Sequence, residues 1–146
     1  MNNGDILIER HENIAVVTID RQSKMNSFDE ELFFKLGEAA DRIRSDLPRA
    51  VILTGAGDRS FSSGFDVNPE NPMVKRIIDA ASAKDIAPAQ ELISAIRKAV
   101  DSFVTLPVPV IAAMNGSAYG GGAELAMRCD IRIADPDAVI CFSETK

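Results

Sequence analysis

Residues 107–130 read Pro-Val-Pro-Val-Ile-Ala-Ala-Met-Asn-Gly-Ser-Ala-Tyr-Gly-Gly-Gly-Ala-Glu-Leu-Ala-Met-Arg-Cys-Asp. The apolar run 108–114 predicts a buried strand, and the small residues from about Gly121 predict a helix. Between them lie three consecutive glycines, 120–122, whose backbone can approach a neighbouring group closely because no Cβ intervenes. A helix that begins there directs unpaired N–H groups and the positive end of its dipole at that neighbour. The stretch therefore predicts a site for developing negative charge, with Glu124 one turn inside the helix.

The composition is that of a globular protein. The 146 residues are 46% hydrophobic and 26% charged, which suits one domain over residues 1–146 with a substantial core. The net charge of −6, the lack of Trp and the single Tyr argue against a nucleic-acid partner. No apolar run is long enough to span a membrane, so we expect no membrane partner. Cys129 and Cys141 lack metal or redox spacing, and residues 1–5 lack a signal-peptide pattern. We therefore expect no metal and a reduced, cytoplasmic setting.

The first half of the chain predicts alternating strands and helices. Two β-rich runs, 6–8 and 14–19, flank the polar residues 10–13 and predict a hairpin with the only histidine, His11, in its turn. Ser27 stands three residues before Glu30, which is the spacing of a capping box that opens a helix. Apolar residues then recur at helical spacing, at Leu32, Leu36, Ala40 and Ile43. The apolar run 50–54 predicts a strand buried on both faces, so a parallel crossover unit is expected.

The second half continues this order after a polar segment. Glycines 55 and 57 lack the third glycine of a dinucleotide-binding fingerprint, and residues 58–66 predict a loop instead. Residues 68–88 contain three prolines and predict a mobile surface insert with short helical potential. A helix is predicted from Ala89, and further strands at 131–134 and 139–142. Since a polar turn follows the last strand directly, we expect the chain to be a C-terminally truncated part of a longer protein.

Two loops share one pattern, with glycine at the sharpest point after an apolar strand. They are residues 63–66, Ser-Gly-Phe-Asp, and residues 119–122, Tyr-Gly-Gly-Gly. If their strands are neighbours in a parallel sheet, both loops leave the same carboxyl edge, where α/β folds bind ligands. Two N–H groups that converge there form an oxyanion hole, and the loss of one such donor costs about 3 kcal/mol of transition-state stabilisation.

These motifs resemble the crotonase (enoyl-CoA hydratase/isomerase) superfamily. The resemblance lies in residues 61–66, in residues 111–116, and in Gly-Gly-Gly-Ala-Glu-Leu-Ala at 120–126 with Cys129 and Asp130. Residues 24–27, Lys-Met-Asn-Ser, resemble the first CoA-binding segment of the family. The resemblance covers nearly all of the chain except the insert at 68–88. It is specific for the superfamily and less so for one reaction.

The resemblance implies an α/β fold, a spiral of repeated ββα units, that assembles as trimers or dimers of trimers. It implies that the N–H groups of Phe65 and Gly121 bind the thioester oxygen, and that Glu124 and Glu144 flank the reacting carbons. CoA is part of the substrate in this family, and no further cofactor is expected. The implied CoA and substrate contacts are Lys24, Asn26, Ser63, Gly64, Asp66, Val67 and Gly120.

The expected reaction is hydration of a 2-enoyl-CoA in fatty acid metabolism, a lyase reaction. Adding water builds negative charge on the thioester oxygen and needs one carboxylate as base and one carboxylic acid as proton donor. We assign Glu124 as the base and Glu144 as the acid, two roles that are easily exchanged. The alternatives are an enoyl-CoA isomerase, another superfamily acyl-CoA enzyme such as a hydrolase or decarboxylase, and a catalytically idle acyl-CoA-binding subunit. Little or no activity is expected from the 146 residues alone.

Each site residue also has a simpler structural interpretation. Glu124 alone would complement the helix dipole, and Glu144 alone would be a solvated turn residue. The three glycines alone would serve tight packing, Asp66 would cap a loop, and Lys24 would be a surface lysine. Many hydratases carry a lysine where this chain has Asn68, so the CoA phosphates would need Lys24 or charges of the insert such as Lys75 and Arg76.

Overall fold

The structure is a computed structural model that describes residues 4–142. It is a mixed α/β fold, as the sequence predicted. Within the described residues no helix is long and apolar enough to cross a membrane. The elements in chain order are β1 (Asp5–His11), β2 (Ile14–Asp20), a short 3-10 helix (Gln22–Lys24), α1 (Glu30–Ser45), β3 (Ala50–Gly55), β4 (Ser60–Ser62), α2 (Pro72–Ser82), α3 (Ala87–Val104), β5 (Val110–Met114), β6 (Ser117–Tyr119), α4 (Gly121–Met127), β7 (Ile131–Ala134) and β8 (Ile140–Cys141).

The strands form two sheets, and successive strands after the hairpin are added alternately to one sheet and then the other. The five-stranded sheet has the order β1-β2-β3-β5-β7, in which only the β1–β2 hairpin is antiparallel. The three-stranded sheet has the order β4-β6-β8 and is parallel. Each strand pair after the hairpin therefore gives one strand to each sheet. Helices follow β2, β4 and β6, which is the ββα repeat that the resemblance implied.

The first helix begins later than the sequence predicted. Its N-cap is Asp29, whose Oδ1 accepts from the N–H of Leu32 at 2.9 Å, so the predicted capping box at Ser27 is wrong. The reason is that a cap at Ser27 would make Phe28 the first helical residue, whereas Phe28 forms a β-bridge with Phe65. The four apolar positions predicted to line the core are buried: Leu32, Leu36, Ala40 and Ile43.

Two strands lie where loops were predicted. Residues 60–62 form β4 inside the predicted loop 58–66, and residues 117–119 form β6 inside the predicted glycine-dense turn. The strands read Ser-Phe-Ser and Ser-Ala-Tyr, and three residues are too few for an apolar pattern that periodicity detects. The hairpin is confirmed, with a turn at residues 12–13. The prediction that His11 lies in the turn is wrong, because His11 is the last residue of β1 and pairs with Ile14.

The helical potential in the insert is real. Helix α2 begins with Pro72 after Asn71, whose Oδ1 accepts from the N–H of Met73 at 3.0 Å. Helix α2 contacts α3, and α3 packs on α1. The core between the sheets and helices contains large buried side chains, among them Phe28, Phe61, Phe103 and Leu125. Because β4 and β6 are anchored in this core, the loops that follow them start from fixed points.

Candidate active site

The two glycine loops leave the same edge of the three-stranded sheet. Strands β4 and β6 are parallel neighbours, with Ser62 paired to Ala118. The loop after β4 contains Gly64 and Phe65, and the loop after β6 leads through Gly120 into α4. The expected convergence at one carboxyl edge is therefore confirmed, although the strands belong to the smaller sheet.

Gly64 is where the two loops come closest. Its φ is +84°, and a Cβ placed on it would lie 2.6 Å from the carbonyl oxygen of Tyr119 and 3.0 Å from the backbone nitrogen of Gly121. A side chain would therefore be strained by the backbone and would collide with the second loop. Glycine at this position is what lets the backbones of the two loops meet.

At this meeting point the N–H groups of Phe65 and Gly121 have no hydrogen-bond acceptor among residues 4–142. In the β-bridge between Phe28 and Phe65, the N–H of Phe28 donates to the Gly64 carbonyl at 2.8 Å. The Phe28 carbonyl accepts from the N–H of Asp66 at 2.7 Å. In this parallel pattern the N–H of Phe65 points away from the bridge. Gly121 is the first residue of α4, so its N–H has no acceptor inside the helix. A Cβ on Gly121 would lie 4.0 Å from the nitrogen of Phe65, which places the two donors side by side.

Both donors line one cavity of about 590 Å³. This volume is within the range of small-molecule sites. Its walls are mainly apolar and come from the two loops, from α1, from α3 and from α4. The lining residues are Phe33, Ser63, Phe65, Val67, Ile93, Ile96, Arg97, Gly120, Gly121 and Glu124. The arrangement offers two N–H donors, one carboxylate and an apolar wall to a single ligand.

Glu124 is the carboxylate of the cavity and is 45% exposed. Its Oε1 lies 3.4 Å from Nη1 of Arg128 one helical turn later. Arg128 also places Nη2 2.5 Å from Oδ1 of Asp101 on α3. The long Glu124–Arg128 contact orients the carboxylate without burying it, and Glu124 keeps its second oxygen free of hydrogen bonds to residues 4–142.

The predicted CoA contacts on the first loop fall into two groups. Ser63 and Val67 line the cavity, and Val67 is 73% exposed. Asp66 instead accepts from Nη1 of Arg21 at 3.0 Å, and Arg21 also pairs with Asp29 at 2.9 Å. This cluster holds the loop to the start of α1, as the capping interpretation of Asp66 suggested. Gly120 donates its N–H to the Cys141 carbonyl at 2.9 Å, which ties the second loop to β8.

Lys24 and Asn26 lie apart from the large cavity. Lys24 is exposed and lines a separate cavity of about 230 Å³ together with Arg21, Asp66 and Asn68. Asn26 is 1% exposed, and its Nδ2 donates to the carbonyls of Ala56 at 3.0 Å and Ser60 at 2.7 Å. A contact between these two residues and CoA stays a prediction, as do the roles of Phe65, Gly121 and Glu124. Glu144 lies outside the described residues.

The sequence did not identify Arg21 or the α3 side of the cavity. It predicted a helix from Ala89 but singled out none of Ile93, Ile96 and Arg97. Helical spacing places 93, 96 and 97 on one face of α3, and a basic residue on that face was the available signal. A further cavity, of about 160 Å³, lies between α1 and α3 and includes Gly37 and Lys98. It contains neither glycine loop.

Burial raises the pKa of the Cys129 thiol to about 11. The side chain is buried at the end of α4, and its Sγ donates to the Leu125 carbonyl at 3.4 Å. The arginine at 132 opposes this shift and the carboxylate of Asp130 adds to it. Cys129 is therefore a protonated packing residue and forms no disulfide.

Comparisons of the sequence and of the structure with known proteins identify the same family. The family model described as enoyl-CoA hydratase/isomerase matches residues 9–146. The (E)-benzylidenesuccinyl-CoA hydratase of Thauera aromatica is 34% identical over 142 residues, which are 97% of this chain and 51% of that protein. The crystal structure of an enoyl-CoA hydratase from Bacillus anthracis superimposes with a TM-score of 0.79 at 31% identity, covering 97% of this chain and 52% of that one.

A solved isomerase is also similar. The monofunctional enoyl CoA isomerase from M. smegmatis is 34% identical, with a TM-score of 0.69, 92% coverage of this chain and 52% of that chain. This chain spans about half the length of the curated relatives and solved structures named above.

Proposed function

The chain belongs to the enoyl-CoA hydratase/isomerase family, and from this premise we propose that it adds water to a 2-enoyl-CoA thioester. The observation that carries the proposal is the meeting of the Phe65 and Gly121 N–H groups in a cavity that also contains Glu124. CoA enters as part of the substrate, and the proposed chemistry uses only groups of the protein. The family relatives named as hydratases support the choice of reaction.

The two N–H groups would bind the thioester oxygen. When the oxygen of water bonds to C3, the π electrons of the C2–C3 bond shift towards the carbonyl and leave an enolate oxygen with negative charge. Donors already fixed in place stabilise this charge more than they stabilise the neutral carbonyl, which lowers the barrier. The donor at Gly121 has the dipole of α4 behind it, since it begins that helix.

Glu124 would remove a proton from the attacking water. It faces the same cavity as the two donors, so a carbonyl bound there brings C2 and C3 towards the carboxylate. Glu144, as a carboxylic acid, would then give its own proton to C2, which regenerates a neutral thioester and leaves the proton of water on Glu124. The base and the acid need different environments for these tasks. Glu124 is half-exposed beside Arg128, so water can reach its carboxylate, which suits the role of base.

The CoA portion would run from the cavity across the first loop. Ser63 and Val67 are at the cavity, and Lys24 lines the neighbouring cavity with Asn68. The exposed ammonium of Lys24 supports a contact with the CoA phosphates in place of the lysine that many hydratases carry at the position of Asn68. Asn26 would contribute indirectly, because its amide holds the backbone beneath that loop.

An enoyl-CoA isomerase is the second candidate. An isomerase moves a proton between C2 and C4 through the same enolate and needs one carboxylate near the acyl chain. Glu124 is the only carboxylate among the lining residues of the large cavity described within residues 4–142. The solved isomerase at 34% identity supports this alternative.

We also propose that the full-length protein acts as a trimer or a dimer of trimers in the cytoplasm, in fatty acid metabolism. Exposed apolar residues on β7 and β8, Ile131, Ile133 and Ile140, support burial against further protein. The reduced cysteines suit the cytoplasm. Sedimentation gives the assembly, and a monomer at micromolar concentration would contradict it.

The test of the reaction is incubation of the full-length protein with crotonyl-CoA, during which the conjugated absorbance is followed. Hydration removes that absorbance, whereas a 3-enoyl-CoA substrate gains it under isomerisation. We expect loss with crotonyl-CoA and product identified as the 3-hydroxyacyl-CoA. A flat trace together with tight CoA binding would indicate an idle acyl-CoA-binding subunit and would reject the proposal.

A further inference from the structure

Arg97 is a cation of the large cavity that the proposed hydration does not use. It lies on α3 beside the apolar residues Ile93 and Ile96 and is itself exposed at the cavity. The cavity contains one other charged side chain among its described lining residues, Glu124. A guanidinium at an otherwise apolar wall is a feature that the binding of a plain alkyl chain does not require.

Arg97 forms no hydrogen bond or ion pair with any residue from 4 to 142. The neighbouring arginines differ in this respect. Arg128 is paired with Glu124 and Asp101, and Arg76 on α2 is paired with Glu91. Glu124 therefore already has a cationic partner, and Arg97 keeps all five of its N–H donors for a ligand.

We propose that Arg97 binds a carboxylate at the far end of the acyl group, so that the preferred substrate is an enoyl-CoA that carries a second acid group. This inference rests on the proposed function of the cavity as an acyl-CoA site. The planar guanidinium accepts a carboxylate through two parallel hydrogen bonds, which gives it selectivity over a methyl end. The apolar faces of Ile93 and Ile96 would contact the methylene groups between the two ends.

The test compares two saturated thioesters of equal chain length, glutaryl-CoA and valeryl-CoA. The acyl chain of glutaryl-CoA ends in a carboxylate where that of valeryl-CoA ends in a methyl group, and neither thioester can be hydrated. Titration calorimetry with the full chain should give about tenfold tighter binding of glutaryl-CoA, which is the strength of one charge-assisted pair at a partly exposed site. The variant Arg97→Gln should abolish this preference and leave the affinity for valeryl-CoA within about twofold.

The matched control is Lys98→Gln. It removes the same charge from the next residue of α3, but Lys98 lines the separate cavity between α1 and α3. We expect the control to retain the preference for glutaryl-CoA. If Arg97→Gln lowers the affinity for both thioesters equally, Arg97 contacts the CoA portion and the inference is overturned. Equal affinity of the unaltered protein for both thioesters would also overturn it.

The outcome separates this inference from the proposed reaction. A glutaryl-CoA preference that depends on Arg97, in a protein that does not hydrate enoyl-CoA, would support the acid subsite and reject hydration. Hydration of crotonyl-CoA without any preference for the dicarboxylic thioester would support the reaction and reject the subsite.

Discussion

A β-carbon on Gly64 would lie 3.0 Å from the backbone nitrogen of Gly121, although the two residues are 57 positions apart in the chain. This approach joins the ends of β4 and β6 and sets the Phe65 and Gly121 N–H groups beside each other. The separation is fixed by backbone atoms of two parallel strands rather than by side chains. The donors are consequently arranged before any ligand binds, which is the condition under which an oxyanion hole is effective.

Glu124→Gln should reduce crotonyl-CoA hydration by about 10²–10⁴-fold, the usual contribution of a positioned base, because the amide cannot accept the proton of water. The affinity for butyryl-CoA should stay within about threefold, because the two N–H donors and the apolar walls are unchanged. The readouts are the steady-state rate and titration calorimetry. Glu91→Gln, a change on the exposed surface of α3, is the control. Unchanged turnover in Glu124→Gln would remove Glu124 from the mechanism.

Two adjacent glycines should respond differently to alanine. A Cβ on Gly122 would lie 2.3 Å from the Ser62 carbonyl oxygen, whereas a Cβ on Gly121 has its nearest neighbour at 3.9 Å. Gly122→Ala should therefore lower the free energy of unfolding by about 2–3 kcal/mol, since backbone of a core strand must move. Gly121→Ala should change it by less than about 1 kcal/mol. Urea denaturation followed by circular dichroism gives both values, and equal stability of the two variants would refute the close approach of α4 to β4.

Arg21 should stabilise the first loop and the start of α1 together. Its side chain is 12% exposed, pairs with Asp29 and Asp66, and donates to the Ser27 carbonyl and hydroxyl. Arg21→Met should lower the free energy of unfolding by about 3 kcal/mol, because two carboxylates lose their counter-charge in a largely buried place. Arg21→Lys should recover less than half of the loss, since one ammonium cannot replace the guanidinium fork. Arg42→Met, on the exposed face of α1, is the control, and full recovery by lysine would contradict the geometry.

Cys129 should resist alkylation at ordinary pH. With a pKa of about 11, about one thiol in a thousand is ionised at pH 8, and only the thiolate reacts. The native protein should incorporate iodoacetamide at the less buried Cys141 first, as peptide mass analysis would show. Prompt labelling of Cys129 in the folded protein would contradict its burial.

The same thiol predicts a pH dependence of stability. The pKa is raised in the folded state from an unfolded value of about 9, so the unfolded state loses the proton first as the pH rises. The free energy of unfolding should fall between about pH 9 and pH 11 and should be unaffected by Cys129 below pH 8. Comparison with Cys129→Ala isolates this contribution, because other groups that titrate in this range remain in both proteins. Identical pH profiles would reject the raised pKa.

The fold was predictable where buried positions give the sequence a periodic or continuous pattern of apolar residues. The helical spacing of Leu32 to Ile43 and the apolar runs of β3 and β5 identified their elements correctly. Strands β4 and β6 were missed because each has three residues and their burial comes from pairing with each other across 57 positions. The cap at Ser27 was misassigned for a similar reason, since the bridge between Phe28 and Phe65 is a long-range contact that local propensity does not encode.

The residues of the candidate site were likewise only partly predictable from the sequence. The two glycine loops and Glu124 stood out because their residue types are unusual at those positions, and the structure places all of them around one cavity. Arg97 and Arg21 did not stand out, because an arginine is ordinary on a helix or in a polar loop. What distinguishes them is the presence or absence of a partner from a remote part of the chain, and that is a property of the fold alone.

The central claim is that the N–H groups of Phe65 and Gly121 bind the thioester oxygen together, and amide NMR tests it most directly. With the protein labelled with ¹⁵N and saturated with butyryl-CoA, both amide protons should move downfield as each gains an acceptor. The amide of Phe28, which already donates to the Gly64 carbonyl, should keep its shift. Binding of butyryl-CoA that leaves the Phe65 and Gly121 amide protons unmoved would contradict the claim.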